Sequence, residues 1–369
     1  MGKGKTETNQ NAKSMDSALS EYQEDKANRK RKTDALVKGG FGFSAFICAS
    51  VIVFIVGFVL YKGLMPFIAE YRSASDQSLF GRQNFWDFIT GNTWNGGEFN
   101  HAAGYLALQT LYITLLSLLI SVPVSVFTAL FIGRSAPKPL SHVFQTGIEL
   151  LAGIPSVIFG LFGMGVINPA VMWLGNILGY QTSGGNSLLS GVVILAMMSV
   201  PTMTMMSVTA VRSVDPALTK ASMALGASKT QTDFKIVLKD AQSGIFAGII
   251  LGLGRAIGEA TAIQMVIGNA LSGPRWDLFS TSATVTTQML MGIGEATPGT
   301  MGYDIRFSAG ILLMVMIIVM DLGLNYIKDS LYARRTGKPR RRGFVYTTFR
   351  PLWLKTAKSH LNAGNGNDD

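Results

Sequence analysis

The sequence predicts an all-α membrane protein with six transmembrane helices. Of its 369 residues, 48% are apolar and only 15% are charged. The charged residues are also segregated, because residues 39–61, 102–133 and 150–211 contain none. A helix needs roughly 20 predominantly apolar residues to cross a bilayer, so these three runs hold about four spans. The composition therefore excludes a water-soluble globular protein.

The uncharged runs supply the first four helices in order. The first two runs give one helix each, whereas a single helix over residues 150–211 would be about three bilayers long. A break is expected at Asn168-Pro169 and at the glycine-rich stretch 179–186, because proline removes a backbone donor and glycine favours turns. Residues 153–155 (Gly-Ile-Pro) are expected to bend the third helix where neighbouring helices satisfy the freed carbonyl.

Two further spans carry isolated charges. Residues 243–267 are expected to form the fifth helix, which contains Arg255 and Glu259, and residues 307–327 the sixth, which contains Asp321. Arg255 and Glu259 stand four residues apart, so a continuous helix projects both from one face. Asp321 is expected close enough to the cytoplasmic end of its helix for the carboxylate to reach solvent.

The basic residues indicate the orientation. Of the 32 lysines and arginines, 26 fall in alternate segments that include both termini, and 5 fall in the segments between them. Cytoplasmic loops carry the excess of basic residues in membrane proteins, so both termini are expected in the cytoplasm. That arrangement requires an even number of spans, which agrees with six.

Two polar tails flank the transmembrane part. Residues 1–40 are expected to form a polar cytoplasmic tail, residues 41–333 the transmembrane domain, and residues 334–369 a basic cytoplasmic tail. Basic and aromatic residues alternate in the C-terminal tail, which favours an anionic membrane surface over nucleic acid. We therefore expect no nucleic-acid partner.

The cytoplasmic loop 211–242 is expected to contain two short helices that meet at a glycine. Asp215 and Pro216 have the pattern of a helix start, and Gly226 is placed to end that helix. Ser228 and Gln231 then form a capping-box pattern. Such an exposed helical elbow is suited to docking against a partner.

Arg255 and Glu259 are the candidate substrate-pathway residues, with Gln264 as a further polar group on the same helix. An ionisable side chain alone in hydrocarbon is costly, about 2.5–3.5 kcal/mol for a central arginine, so both are expected to face the protein interior. There Arg255 would meet an anion while Glu259 tunes its charge. A buried ion pair that fixes helix rotation is the alternative. Glycines at small-xxx-small spacing also predict close helix packing: Gly244, Gly248, Gly252, Gly254 and Gly258.

The sequence contains no familiar catalytic or metal-binding pattern. It has neither His-Glu-x-x-His nor Gly-x-Ser-x-Gly, and its three histidines are far apart. Cys48 is the only cysteine and lies within the first span, which excludes a disulfide framework. We expect no metal, no cofactor and no enzymatic activity.

Several stretches carry a family resemblance. Residues 220–228 (KASMALGAS) resemble the cytoplasmic signature loop of ABC importer permeases. Residues 149–163 (ELLAGIPSVIFGLFG) and 252–260 (GLGRAIGEA) resemble the phosphate importer permeases. Residues 265–269 (MVIGN) are more similar to the PstC-type subunit than to its PstA-type partner.

The resemblance implies the ABC importer type I permease fold in the bacterial cytoplasmic membrane and an assembly of separate subunits. A PstA-type second permease, a dimer of ATPase subunits and an external phosphate-binding protein would complete the importer, and the ATPase would hydrolyse ATP. Arg255 and Glu259 match the family's intramembrane charged pair. The signature loop would dock into the ATPase through residues that include a lysine in place of the family's glutamate: Lys220, Ala221, Ser222, Leu225 and Gly226.

Three alternatives stay open at this point. A permease for another oxyanion (sulfate, molybdate or phosphonate) fits as well, because one arginine does not choose among tetrahedral anions. An intramembrane enzyme would need a nucleophile–base pair or a metal cluster within the spans, and the sequence shows neither. A passive scaffold would have little reason to retain a charged pair in the membrane.

Overall fold

The computed structural model describes residues 3–73, 78–95, 97 and 99–336, with side chains described at residue 30 and between residues 37 and 330. The basic tail expected from residue 334 lies outside the described residues beyond residue 336. In chain order the helices are α1 (Lys3–Ile68), α2 (Phe85–Thr90), α3 (Gly104–Leu130), α4 (Lys138–Gly153), α5 (Ser156–Phe162), α6 (Asn168–Ile177), α7 (Leu188–Arg212), α8 (Pro216–Ala224), α9 (Lys229–Thr232), α10 (Leu238–Asp240), α11 (Gln242–Gly258), α12 (Thr261–Val266), α13 (Val285–Leu290) and α14 (Met301–Thr336).

Wider π-helical turns extend or join several of these helices, at Phe131–Ser135, Gly163–Ile167 and Asp233–Val237. A short antiparallel ladder pairs β1 (Tyr71–Arg72) with β2 (Phe80–Gly81). The ladder is fixed to α14, because the Tyr71 hydroxyl donates to the buried Asp304 carboxylate at 2.7 Å. Lys62 Nζ lies 3.4 Å from the same carboxylate.

The chain divides into two units, Met1–Tyr61 and Lys62–Asp369. In the first unit the backbone is helical from Lys3, although the sequence marks residues 1–40 only as a polar tail. These residues are rich in lysine, glutamate, glutamine and alanine, which have high helix propensity even where the segment is hydrophilic. The apolar side chains that follow, such as Phe41 and Phe54, are mostly exposed and suited to lipid.

The predicted count of six spans agrees with the five to six candidate spans in the described part of the chain. Five helical segments are long and apolar enough to cross a bilayer: Val37–Ile68, Gly104–Ser135, Ser156–Ile177, Leu188–Arg212 and Met301–Ser330. A bent pair, Lys229–Asp240 with Gln242–Gly258, supplies the sixth when its two parts, which meet at 66°, are counted as one span.

The second unit is built around α3, α7 and α11, which pack against one another. Hydroxyl groups of α3 face α7, where Ser125 Oγ donates to the Val200 carbonyl at 3.2 Å. A Cβ added at Gly244, Gly248 or Gly252 would approach α7 side chains closer than 3.0 Å, so these glycines permit the close α11–α7 contact. The predicted packing role is therefore confirmed for this glycine series.

The third span begins later than the sequence predicts. Residues 153–155 do not bend one helix, because α4 ends at Gly153 and α5 starts at Ser156 after Pro155. Asn168-Pro169 does not break the span either. Pro169 directly follows the π-helical turn that joins α5 to α6, and the helical backbone continues through it. The predicted turn at residues 179–186 is confirmed between α6 and α7.

The fifth span is interrupted within the range where the sequence predicts one helix. α11 ends at Gly258, and Glu259 has an extended backbone (φ −73, ψ 122) before α12 begins at Thr261. Tertiary partners compensate for the break. The Glu259 carboxylate accepts from the Ala262 N–H at 3.1 Å, and the Thr286 hydroxyl donates to the Glu259 carbonyl at 2.8 Å. The expectation that Arg255 and Glu259 share a helix face is therefore wrong.

Candidate functional site

A cleft of ≈ 440 Å³ opens between three of the spans. Its lining comes from α7, α11 and α14. The glycines of α11 pack closely on α7, and Leu253 and Ile257 of α11 pack against Met316 of α14. The walls are mainly apolar, with three polar side chains among them. The lining residues are Thr202, Ile250, Leu251, Gly254, Arg255 and Asp321.

Arg255 is the cationic group of this cleft. It lies in the last turn of α11, half-buried, and its Nη1 donates to Thr202 Oγ1 at 3.3 Å. Within the described residues no ion pair joins Arg255 to Glu259 or to any other carboxylate. The partner of the guanidinium is thus a neutral hydroxyl. Because the Thr202 hydroxyl occupies one donor and brings no opposite charge, most donors of the guanidinium remain for a ligand.

Asp321 lines the same cleft, and the sequence does not predict this. The expectation of a solvated carboxylate near the helix end differs from the structure, where Asp321 Oδ1 is buried without a hydrogen-bond partner. A buried carboxylate oxygen with no donor is costly and calls for an explanation. The signal available in the sequence is a single acidic residue in an otherwise apolar span.

Glu259 and Gln264 lie beyond the break and do not line the cleft. Glu259 uses its carboxylate to hold the first turn of α12, as described above. Gln264 lies in α12, half-buried, and its backbone carbonyl accepts from Asn269 Nδ2 at 2.8 Å. Of the three predicted pathway residues, the structure therefore places Arg255 in the cleft and the other two on the segment that follows.

The arrangement can bind an anion but offers little else chemically. A guanidinium in a partly desolvated cleft is a strong partner for a tetrahedral oxyanion. Within the described ranges, no group of three or more His, Cys, Asp or Glu side chains is placed to hold a metal ion. The polar side chains of the cleft are thus suited to electrostatic and hydrogen-bonded contacts.

The loop 211–242 contains the helical elbow that the sequence predicts, which we define as residues 215–232. Asp215 caps α8, with its carboxylate accepting from the Ala217 N–H at 2.8 Å. Gly226 has φ +86, the left-handed conformation of a helix C-terminus. Ser228 and Gln231 form the reciprocal capping box that begins α9. Local capping residues thus define the start and the end of the short helices in the elbow.

The tip of the elbow exposes an apolar side chain. Leu225 is 91% exposed, and Lys220, Ala221 and Gly226 are exposed beside it. Ser222 differs from these four residues, because it is half-buried and its hydroxyl lies 2.9 Å from Thr232 Oγ1 of α9. Of the five predicted docking residues, four are accessible to a partner, and Ser222 joins the two helices of the elbow.

A charged clamp at the base of the elbow was not predicted. Arg134, in the π-helical turn that ends the second span, lies 3.2 Å from the buried Asp233 carboxylate and donates to Thr219 Oγ1 at 2.9 Å. Thr219 belongs to α8 and Asp233 begins the turn after α9. One guanidinium therefore ties a membrane span to α8 of the elbow and to the turn that directly follows α9, which begins 99 residues further along the chain.

A bundle of membrane spans with a cationic cleft and an exposed helical elbow is the arrangement of a membrane permease. Residues 121–334 match the family described as binding-protein-dependent transport system inner membrane component. The chain belongs to this family of ABC importer permeases, which are inner-membrane transport proteins and not enzymes.

Curated relatives agree with this membership. YqgH of Bacillus subtilis (strain 168), a probable ABC transporter permease protein, is 34% identical over 286 residues, covering 77% of this chain and 86% of YqgH. PstC of Pasteurella multocida (strain Pm70), a phosphate transport system permease protein, is 30% identical over 279 residues, covering 72% of this chain and 85% of PstC. PstC of Xylella fastidiosa (strain Temecula1 / ATCC 700964) is 32% identical, covering 68% and 80%. The resemblance to PstC-type permeases is therefore confirmed.

The fold also matches a solved transporter. A chain of a bacterial ABC transporter involved in the import of the acidic polysaccharide alginate superposes with a TM-score of 0.52 at 20% identity, covering 82% of this chain and 98% of that chain. At this identity the match concerns the fold alone. It confirms the ABC importer type I permease fold.

Proposed function

We propose that this chain is the PstC-type subunit that passes inorganic phosphate across the bacterial cytoplasmic membrane. The observation that carries the proposal is Arg255, a guanidinium that lines a cleft between three spans and has a neutral threonine as its hydrogen-bond partner. A charged side chain in a membrane span costs free energy, and binding of an oppositely charged ligand offsets that cost. The identity with several PstC phosphate permeases supports phosphate as that ligand.

The proposed assembly contains three further components. A PstA-type permease forms the other side of the pathway, a phosphate-binding protein delivers the anion at the external face, and a dimer of ATPase subunits binds the elbow. The excess of basic residues in alternate segments supports cytoplasmic positions for both termini and for the elbow. Exposed Leu225 supplies the apolar anchor that such docking requires.

Within this assembly the pathway residues have separate roles. Arg255 contacts the anion directly. Glu259 holds α12 in position, and Gln264 lies on that segment, so both shape the pathway on the far side of the helix break. ATP binding moves the elbow, and the clamp at Arg134 passes that movement to the second span.

Replacing Arg255 by glutamine tests the proposal. We expect ATP-dependent phosphate uptake by cells or vesicles that contain the chain and its partners to fall by about tenfold or more, because a charge-assisted contact to the anion is lost. Uptake of radiolabelled phosphate is measured at equal expression of wild type and Arg255→Gln.

Arg275→Gln is the matched control. Its Nη1 also donates to a threonine hydroxyl, Thr281 Oγ1 at 3.1 Å, but it lies in the loop after α12 and outside the cleft. Near-normal uptake is expected for this control. Undiminished, phosphate-selective uptake in the Arg255→Gln variant would remove Arg255 from the pathway and the proposal with it.

A further inference from the structure

Arg255 shares its cleft with an acidic residue, which is an unusual arrangement for a site that binds only anions. Asp321 of α14 lines the cleft together with Arg255 and Thr202. No ion pair joins Arg255 to Asp321 in the described part of the chain. Asp321 Oδ1 is also buried without a hydrogen-bond donor. Asp321 therefore does not neutralise Arg255 through an ion pair in this structure.

An ionised carboxylate can only accept hydrogen bonds. Towards an oxyanion without a proton it is repulsive, because two acceptors of like charge then face each other in a partly desolvated space. Towards an oxyanion that carries a hydroxyl group it is attractive, because the hydroxyl donates to it in a short charge-assisted bond. An acidic residue beside an arginine thus distinguishes oxyanions by protonation rather than by size.

We infer that Asp321 is a specificity-determining residue that selects oxyanions carrying a proton. The inference rests on the proposed function, since it assumes that the anion binds in the cleft of Arg255. Arg255 donates to the deprotonated oxygens, Asp321 accepts from the hydroxyl group, and Thr202 can act as donor or acceptor at the third polar position.

Recognition of the hydroxyl group by Asp321 distinguishes anions that Arg255 alone does not distinguish. Inorganic phosphate and arsenate keep at least one hydroxyl proton near neutral pH, and a phosphonate monoanion also has one. Sulfate and molybdate have none under the same conditions. Discrimination by an unfavourable contact is an effective way to reject a close analogue, because the rejected anion loses affinity while the accepted one gains it.

Anion-dependent stabilisation of the purified full-length chain in detergent tests the inference. Thermal unfolding is followed at pH 7.5 and constant ionic strength during titration with phosphate, arsenate, sulfate or molybdate. Wild type is expected to respond to phosphate and arsenate at concentrations about tenfold or more below those needed for sulfate and molybdate. In Asp321→Asn the amide can donate to a bare oxygen, so this ratio is expected to fall close to one.

Asp329→Asn is the matched control, because it makes the same change on the same helix eight residues away and outside the residues that line the cleft. It is expected to keep the wild-type ratio. An Asp321→Asn chain that keeps the wild-type ratio of effective anion concentrations would overturn the inference. The inference would also fail if the affinity for both classes of anion rose equally, because loss of negative charge alone would explain that result.

The Arg255→Gln chain separates the two proposals in the same assay. If its response to phosphate equals that of wild type, Arg255 does not bind the anion and the proposed function fails. If Arg255→Gln loses the phosphate response while Asp321→Asn keeps the wild-type selectivity, the proposed function stands and the inference about Asp321 fails. A wild-type chain that responds to none of the four anions would contradict anion binding in the cleft.

Discussion

At the scale of single residues, Arg255 illustrates how a charge is retained inside a membrane span. Its guanidinium is half-buried at the end of α11 and is partnered by a threonine hydroxyl. A carboxylate partner would have neutralised it and left less charge for a ligand. Gly254 beside it has open space at its Cβ position, which widens the cleft rather than packing against a helix. The second glycine series, Gly254 and Gly258, makes no close helix contact within the described part of this chain.

His101 is a buried residue outside the membrane spans whose protonation affects stability. Its backbone N–H donates to Gln83 Oε1 at 2.8 Å, and its ring meets the buried Trp94 edge to face at 5.7 Å. Burial, and secondarily the positive charge of Arg306, lowers the pKa of His101 from 6.5 to about 4. The folded chain therefore holds this imidazole neutral at a pH where the unfolded chain protonates it.

The sign of the resulting pH dependence follows from linkage. Between pH 6.5 and about 4 the unfolded chain binds a proton that the folded chain does not, so stability falls as the pH falls, by up to about 3 kcal/mol from this residue. We expect the thermal midpoint of the purified chain to drop further between pH 7.5 and 4.5 in wild type than in His101→Gln. Equal drops in the two chains would contradict the neutral buried state, since the carboxylates titrate alike in both.

At the scale of elements, the fifth span shows what local sequence predicts and what it does not. The glycine spacing of α11 correctly predicts its contact with α7, because Gly244, Gly248 and Gly252 recur on one helix face. The break at Glu259 has no comparable local signal. It depends on Thr286, 27 residues away, which satisfies the freed carbonyl. Partners so distant in sequence become visible only when the chain is folded.

The elbow is the element with the clearest external role, and Leu225 at its tip is its most exposed large apolar side chain in the described residues. We expect Leu225→Asp to reduce ATP hydrolysis stimulated by the loaded binding protein, and phosphate uptake with it, by about tenfold or more, because a buried interface anchor becomes a charge. The mutant chain should still insert and fold, since Leu225 has almost no contact within the chain. The ATPase rate of the purified complex gives the measurement.

Two further variants show whether a loss at the elbow arises from docking. Ala217→Asp places the same charge in the first turn of α8, where it favours the helix, and should leave stimulation near normal. Gly226→Pro should abolish stimulation by a different route, because proline cannot adopt φ +86 and removes the N–H that donates to the Met223 carbonyl at 3.0 Å. Normal stimulation in Leu225→Asp or Gly226→Pro would count against docking through the elbow.

The clamp of Arg134 gives the elbow a mechanical connection to the membrane. A flexible loop alone would absorb the movement of a docked partner. Asp233 is buried and paired with Arg134, so displacement of the elbow separates a desolvated ion pair unless the second span moves as well. Arg134 and Asp233 lie in different elements, and the hydrophobic periodicity of one element carries no information about its contacts with another. The sequence therefore did not predict this ion pair.

At the scale of the whole molecule, charge-free runs and two apolar stretches with isolated charges predicted the number of spans but not their limits. The positions of charged residues indicate which segments lie in the membrane, because every span must contain few charges. The start of a span depends on local chemistry, such as Pro155 at the head of α5, and on tertiary contacts. The cleft was predicted only through Arg255. Thr202 and Asp321 enter it through the rotation of α7 and α14, which an almost uniformly apolar helix does not reveal.

Orientation is a property of the whole molecule that can be tested directly. The chain has a single cysteine, Cys48, so a Cys48→Ser background permits single new cysteines. Ser183→Cys lies in the turn between α6 and α7, and Ser228→Cys lies in the elbow. The distribution of basic residues predicts the first outside the cell membrane and the second in the cytoplasm.

We expect a membrane-impermeant maleimide to label Ser183→Cys in cells whose outer surface is accessible, and to label Ser228→Cys only after the cytoplasmic membrane is opened. Both sites should react after detergent treatment, which controls for access to each thiol, and the Cys48→Ser parent should remain unlabelled. Labelling of Ser228→Cys in intact cells would invert the orientation. The elbow would then lie on the side without ATP, and docking to an ATPase would be physically impossible whatever the family resemblance implies.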